Sequence, residues 1–186
     1  MYPEIMVIPM REELTRAGLT EARSAAEVDA AIAKPGTTMV VVNSICGCAA
    51  GKMRPGVRLA MQHSAKPDHA VTVFAGQDRD ATEKARSYFG GHPPTSPAIA
   101  ILRDGQLVYL MQRSAIETST APAIAQELQR AVDTYCAPTT AYARKLLKSK
   151  AGDPLLHWAV SGFSHFMAER KLDLADVRNS HVDHAT

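Results

Sequence analysis

The feature that most constrains this chain is a pair of short, unbroken apolar runs separated by a helix-length segment. Thr38-Met39-Val40-Val41-Val42-Asn43 and Val71-Thr72-Val73-Phe74-Ala75-Gly76 are both rich in β-branched residues. Neither run alternates polar with apolar residues, and strands buried on both faces of a helix-covered sheet show that pattern. Residues 46–61, between them, read as a helix, with Pro55 expected to kink it because proline removes an internal hydrogen bond. Strand, helix, strand in this order makes a parallel βαβ unit.

The flanks extend that unit. Residues 4–17 place Ile5, Val7, Ile8, Met10 and Leu14 among charges, consistent with a helix that Pro9 starts or kinks. Ser24 reads as an N-cap with Glu27 at the capping-box position, and Pro35-Gly36 ends the helix that Ser24 opens. Residues 80–89 read as a further helix closed by Gly90-Gly91. Pro93-Pro94-Thr95-Ser96-Pro97 is a rigid turn, and Asp104-Gly105 then separates two apolar runs, a strong hairpin signal. A last long helix spans residues 121–136. Parallel βαβ followed by an antiparallel hairpin and a helix is similar to the thioredoxin-like α/β fold, a central mixed sheet flanked by helices, here expected over residues 1–138.

Pro138-Thr139-Thr140 marks a boundary, and residues 139–186 read as a helical extension ending in a polar tail. Its helix, residues 154–170, lines up Leu155, Trp158, Ala159, Phe163, Phe166 and Met167, a stripe expected to pack on the core or to form a homodimer with a second copy. The chain contains no internal repeat and no low-complexity tract.

Composition narrows the function. A net charge of +2 and 5% aromatic residues argue against a nucleic-acid binder. No run approaches about 18 consecutive apolar residues, so no membrane span is expected. The opening Met1-Tyr2-Pro3-Glu4 lacks the basic start of a secretory leader, which points to the cytoplasm. In that reducing compartment the 3 cysteines read as buried, catalytic or metal-binding rather than as structural bridges.

Cys46-Gly47-Cys48 stands directly after the first buried strand, where a helix begins. Ligands of open α/β sheets bind beyond the carboxyl ends of the strands. A sulfur there faces unpaired backbone N–H groups and the positive end of a helix dipole, both of which favour the nucleophilic thiolate. Residues 30–67 contain no Asp or Glu but do contain Lys34, Lys52, Arg54, Arg58 and Lys66. Cys46 is therefore expected to have a depressed pKa and to attack, with Cys48, one step inside, as the resolving thiol. Residues two apart in a helical turn lie roughly 5.5 Å apart at Cα, inside the disulfide range. Gly47 lends the small ring its backbone freedom. Such a ring is strained, which raises its reduction potential and suits exchange or isomerisation.

Other readings stay open beside this one. Cys46 and Cys48 could bind zinc or copper, with Cys136 and scattered histidines completing a site of four ligands. Cys136 reads chiefly as a buried thiol, His181 and His184 as part of a solvated tail, and His63 and His92 as candidate bases near the thiol and proline loops.

Beyond spacing, Val40-Val41-Val42-Asn43-Ser44-Ile45-Cys46-Gly47-Cys48-Ala49-Ala50-Gly51 resembles the signature of the bacilliredoxins, thioredoxin-like proteins with a CGC motif. The run from Val71 to Asp78, the stretch from Pro93 to Leu102 and Pro9-Met10-Arg11-Glu12-Glu13-Leu14 are similar too. The resemblance covers residues 1–138. It implies removal of bacillithiol, a low-molecular-weight thiol, from mixed disulfides on client proteins, with weak disulfide isomerase activity. Bacillithiol would serve as co-substrate, with no bound cofactor or metal. The resemblance also implies that Asn43, Ser44 and Gly47 support the cysteines, that Pro97 is a cis-proline facing them, and that Thr95 and Ser96 offer backbone groups to substrate. A general protein disulfide isomerase or reductase using another thiol is the alternative within redox chemistry. The extension from about Thr139 departs from the family pattern.

Overall fold

The computed structural model describes residues 1–136. The expected boundary at 138, the extension over 139–186 and its homodimer stripe, together with His181 and His184, lie outside the described residues.

Chain order runs α1 (Glu4–Thr15), β1 (Thr20–Glu21), α2 (Ala25–Ile32), β2 (Thr37–Asn43), a π-helical turn (Ala49–Met53), α3 (Arg54–Ala60), β3 (His69–Phe74) and α4 (Arg79–Ser87). The hairpin strands β4 (Ala98–Arg103) and β5 (Gln106–Met111) come next, then α5 (Arg113–Thr118) and α6 (Ala121–Tyr135). The five strands lie in the order β1-β3-β2-β4-β5. Pairing is parallel across β1, β3 and β2 and antiparallel across β2, β4 and β5. This mixed sheet covered by helices is the thioredoxin-like architecture.

All seven residues of β2 are buried, as a continuous apolar run requires of a central strand. Its side chains alternate between two cores. Met39 and Val41 join Met53 of the π turn and Val57, Ile124 and Leu128 of α3 and α6, whereas Val40 and Val42 join Val28, Ile32, Ala81 and Ala85 of α2 and α4. The expected capping box at α2 forms, with Glu27 N–H bonded to Ser24 Oγ and Ser24 N–H to Glu27 Oε2. At the hairpin, Asp104 and Gly105 take φ of 49° and 81°. These are the left-handed values a two-residue turn demands. Among the described residues no helix is long and apolar enough to cross a membrane.

Three local features differ from the sequence reading. Strand β1, which has only two residues, is too short to show a period. It exists because Thr20 and Glu21 pair with Val71 and Thr72, and because Glu21 is ion-paired with the buried Arg11. Arg11 also grips Asp78 through two bonds of 2.7 and 3.1 Å and lies 5.1 Å from the centre of the Phe74 ring, so it clamps α1 to this edge of the sheet. The helix after the cysteines is irregular upstream of Pro55 rather than at it. Pro55 cannot donate to the Gly51 carbonyl and its ring crowds that carbonyl, and the winding widens into a π turn over this stretch. Helix α5 is six residues long and buries only Ile116, which leaves no periodicity to read.

Helices α3 and α6 approach closely at Gly56. A Cβ added there meets Ile124 Cγ2 at 2.7 Å and the Ala121 carbonyl at 3.1 Å, whereas at Gly51 it meets nothing within 4 Å. Gly56→Ala is expected to destabilise the protein by about 1–3 kcal/mol through overpacking. Gly51→Ala should lie within about 0.5 kcal/mol of the parent. Chemical denaturation of both variants measures this, and equal stabilities would contradict the packing described.

Candidate active site

Strand β2 ends at Asn43, and Ser44, whose hydroxyl faces Cys46, is anchored there. The Asn43 side chain turns back, its Oδ1 accepting from the Ser44 N–H at 2.8 Å while its Nδ2 donates to the Met10 carbonyl at 3.0 Å. Arg54 reaches the same point from α3. It is 2% exposed, and its Nη1 donates to Asn43 Oδ1 at 3.2 Å and to the Ser44 carbonyl at 3.0 Å. Its Nε meets Glu13 of α1 at 3.0 Å. The guanidinium thus fixes the backbone of Ser44, the residue whose hydroxyl lies 3.2 Å from Cys46 Sγ.

The helical run begins at Gly47. The Cys46 carbonyl accepts from the Ala49 and Ala50 amides at 3.0 and 3.1 Å, and the Ala49 N–H also points at Cys46 Sγ, 3.4 Å away. Cys46 and Cys48 are both free and half-buried, and Gly47 between them is exposed. Cys46 packs against the core on one side without being sealed by it.

The two thiols are driven apart in acidity. Burial by itself raises the Cys46 pKa, but hydrogen bonds from Cys48, Ser44 and the Ala49 amide, with the charge of Arg113, outweigh it and hold the thiol below its ordinary value. Cys48 moves the other way. Burial raises it, and its hydrogen bond to Cys46 and the charge on that sulfur raise it further. The arrangement therefore places a thiolate on Cys46 in preference to Cys48, and a thiolate is the species that attacks disulfides.

The cation that acts on Cys46 is not one from the acid-free stretch. Arg54 is spent on Glu13 and the β2 end, and Lys52 Nζ donates to the Glu117 carbonyl. Arg113, at the start of α5, supplies the field instead. Its N–H reaches Thr95 Oγ1 and its Nη1 the Ser96 carbonyl, each at 3.4 Å. The Ser96–Pro97 peptide is cis, Pro97 is buried, and Arg86 donates to the Thr95 carbonyl at 3.3 Å. Arg113 thereby links the proline loop to the cysteine pair.

The remaining candidates lie elsewhere. His63 pairs with Asp133 at 2.9 Å beyond the far end of α3, roughly 20 Å of helical rise from Cys46. His92 is exposed beside Gly90. The Cys136 thiol is pushed up by burial, with a hydrogen bond from Thr37 opposing this, and packs at the end of α6. Among the described residues no three His, Cys, Asp or Glu side chains cluster as a metal site.

Residues 2–136 match the family model described as disulphide isomerase. A bacilliredoxin of Koribacter versatilis is 61% identical over 140 residues, which span 75% of this chain and 97% of that protein. This chain belongs to the bacilliredoxin family. A bacilliredoxin of Geobacillus kaustophilus is 49% identical over 136 residues, 73% of this chain and 93% of its own. Mitochondrial thioredoxin 3 of Saccharomyces cerevisiae aligns in space with 63% of the chain and 95% of its own length, at 14% identity and a TM-score of 0.46. As a bacilliredoxin-family protein the chain is a thiol–disulfide oxidoreductase.

Arg113 and the anchoring role of Arg54 escaped the sequence reading. Arg54 carried a signal, since it adjoins the buried stripe of Met53, Val57 and Ala60 on its helix. Arg113 is reached by counting back from the hairpin turn. A bulge at Ile101/Leu102 shifts the pairing by one residue, however, so the count lands on Gln112.

Ser44→Ala removes a donor to the Cys46 thiolate and leaves the neutral thiol nearly untouched, so the Cys46 pKa should rise. The pH profile of Cys46 alkylation should move to higher pH, and the rate near neutrality should fall about two- to tenfold. An unmoved profile would show that the hydroxyl does not hold the anion.

Proposed function

We propose that this protein removes bacillithiol from mixed disulfides on client proteins, with Cys46 as nucleophile and Cys48 as resolving thiol. The observation that carries the reading is the opposed acidity of two half-buried sulfurs, one given an amide and a hydroxyl, the other pushed up by burial and by its neighbour. The Cys46 thiolate attacks the bacillithiol sulfur of the mixed disulfide. One S–S bond forms to Cys46 as the old one breaks, and the client sulfur leaves as a thiolate that takes a proton from water. A second bacillithiol then attacks the bacillithiol sulfur on Cys46, which releases oxidised bacillithiol and restores the Cys46 thiolate. Alternatively, the Cys48 thiolate attacks Cys46 Sγ, frees bacillithiol and leaves a Cys46–Cys48 disulfide. That bridge takes two electrons from two further low-molecular-weight thiols, which leave as their own disulfide.

Asn43 and Ser44 support this chemistry from the β2 end, and exposed Gly47 leaves the backbone between the sulfurs free to close the ring. Pro97 borders the approach, with Thr95 and Ser96 offering main-chain groups to the client. Bacillithiol is a co-substrate in this scheme, and no bound cofactor or metal takes part. The reducing cytoplasm is the compartment that would keep such a pair ready. Weak disulfide isomerase activity is a consequence of the same exchange, and the family model's description, disulphide isomerase, agrees with it.

Incubation with a bacillithiolated client, followed by intact-mass spectrometry, tests the assignment. Cys46→Ser should abolish removal of the thiol, at least about a hundredfold, since no other nucleophile is held at that position. Cys48→Ser should accumulate bacillithiol on Cys46 when free thiol is scarce. An active Cys46→Ser protein together with an untrapped Cys48→Ser protein would reverse the roles.

A further inference from the structure

The surface beside Cys46 carries a cation whose present partner is easily replaced. The side chain of Arg113 is 47% exposed, and its Nε meets Glu117 Oε1 at 2.7 Å, four residues along the same short helix. Exposed pairs of this kind, four residues apart on a helix, hold only weakly. Nη1 touches the Ser96 carbonyl, and among the described residues Nη2 has no hydrogen-bond partner, so part of the planar fork stays open. Lys52 reaches the Glu117 carbonyl from the π turn, which brings a second cation to the same place. Residues 30–67, which contain the cysteines, add no carboxylate of their own. Two cations thus converge on Glu117, Arg113 on its exchangeable carboxylate and Lys52 on its backbone carbonyl.

We propose that Arg113 binds a carboxylate of the low-molecular-weight thiol substrate, exchanging Glu117 for that group as the substrate sulfur meets Cys46. The inference rests on the reading of Cys46 as the exchange nucleophile and adds the chemical class of its small partner, a thiol or disulfide bearing a carboxylate. Arginine suits this role because its fork matches the two oxygens of a carboxylate, whereas lysine offers a point charge. Glu117 keeps the guanidinium beside the pair until an incoming carboxylate takes its place.

The test uses the full-length Cys48→Ser protein, in which reaction stops once Cys46 has attacked a symmetric disulfide, formed one mixed disulfide and released one thiolate. Rates are measured by mass spectrometry with dithiodipropionate (anionic), hydroxyethyl disulfide (neutral) and cystamine (cationic). Salt near about 0.5 M shortens the reach of the general field to a few ångströms. Arg113→Ala is expected to slow the anionic disulfide about tenfold more than the neutral one, because a loss of thiolate alone slows all three alike. Arg113→Lys should keep part of the preference, and Glu117→Gln should raise the anionic rate a few-fold by removing the competing carboxylate. Equal slowing of all three by Arg113→Ala would overturn the proposal. Failure of the parent protein to react with any of the three would instead strike the exchange reading itself.

Discussion

The contact on which the site depends is the buried guanidinium of Arg54 against the end of β2. A charge so deeply enclosed is tolerated only when its donors are met, and here they meet Glu13, Asn43 and the Ser44 carbonyl. Those partners belong to α1 and to the strand terminus, so one side chain of α3 joins three pieces of chain at the point where the sheet gives way to the cysteine turn. Ser44 is held by its backbone, which leaves its hydroxyl to face the sulfur. The chemistry of Cys46 is thus borrowed from packing one layer below it.

The sheet works to the same end. Because β2 is covered on both faces, its last residue is a fixed point, and the cysteine turn inherits that position. The antiparallel partner β4 begins just after the cis Ser96–Pro97 peptide, and the register of Val42 with Ala98 brings the proline loop alongside the residues that lead to Cys46. Strand β5 pairs Met111 with Ile99 and so delivers Arg113 to the same corner. Three segments distant in sequence converge through strand pairing alone.

Much of this was legible in the sequence, for identifiable reasons. The two unbroken apolar runs and the Asp-Gly turn are strong local signals, and they establish the topology and the junction occupied by Cys46-Gly47-Cys48. The depressed acidity expected of Cys46 agrees in direction with its surroundings, although the cause differs. One amide and the Ser44 hydroxyl serve it directly, and its cation comes from beyond the hairpin rather than from the basic stretch nearby. Strand β1 and helix α5 stayed hidden because two and six residues carry no period, and the π turn because its cause lies in Pro55, downstream of the turn itself. Arg113 was hidden by a bulge, a tertiary detail that shifts a count by one.

The opposed acidities of the neighbouring sulfurs also impose an order of events. Burial favours the Cys48 proton, and the rest of the restraint comes from its hydrogen bond to Cys46 and from the anion there. Once Cys46 is tied up in a bond to another sulfur, its negative charge is gone and that part of the restraint lifts. In the proposed scheme the second thiol is then freed to ionise only when there is something for it to release. A proton interlock of this kind would keep the pair from closing on itself before a client has arrived and departed.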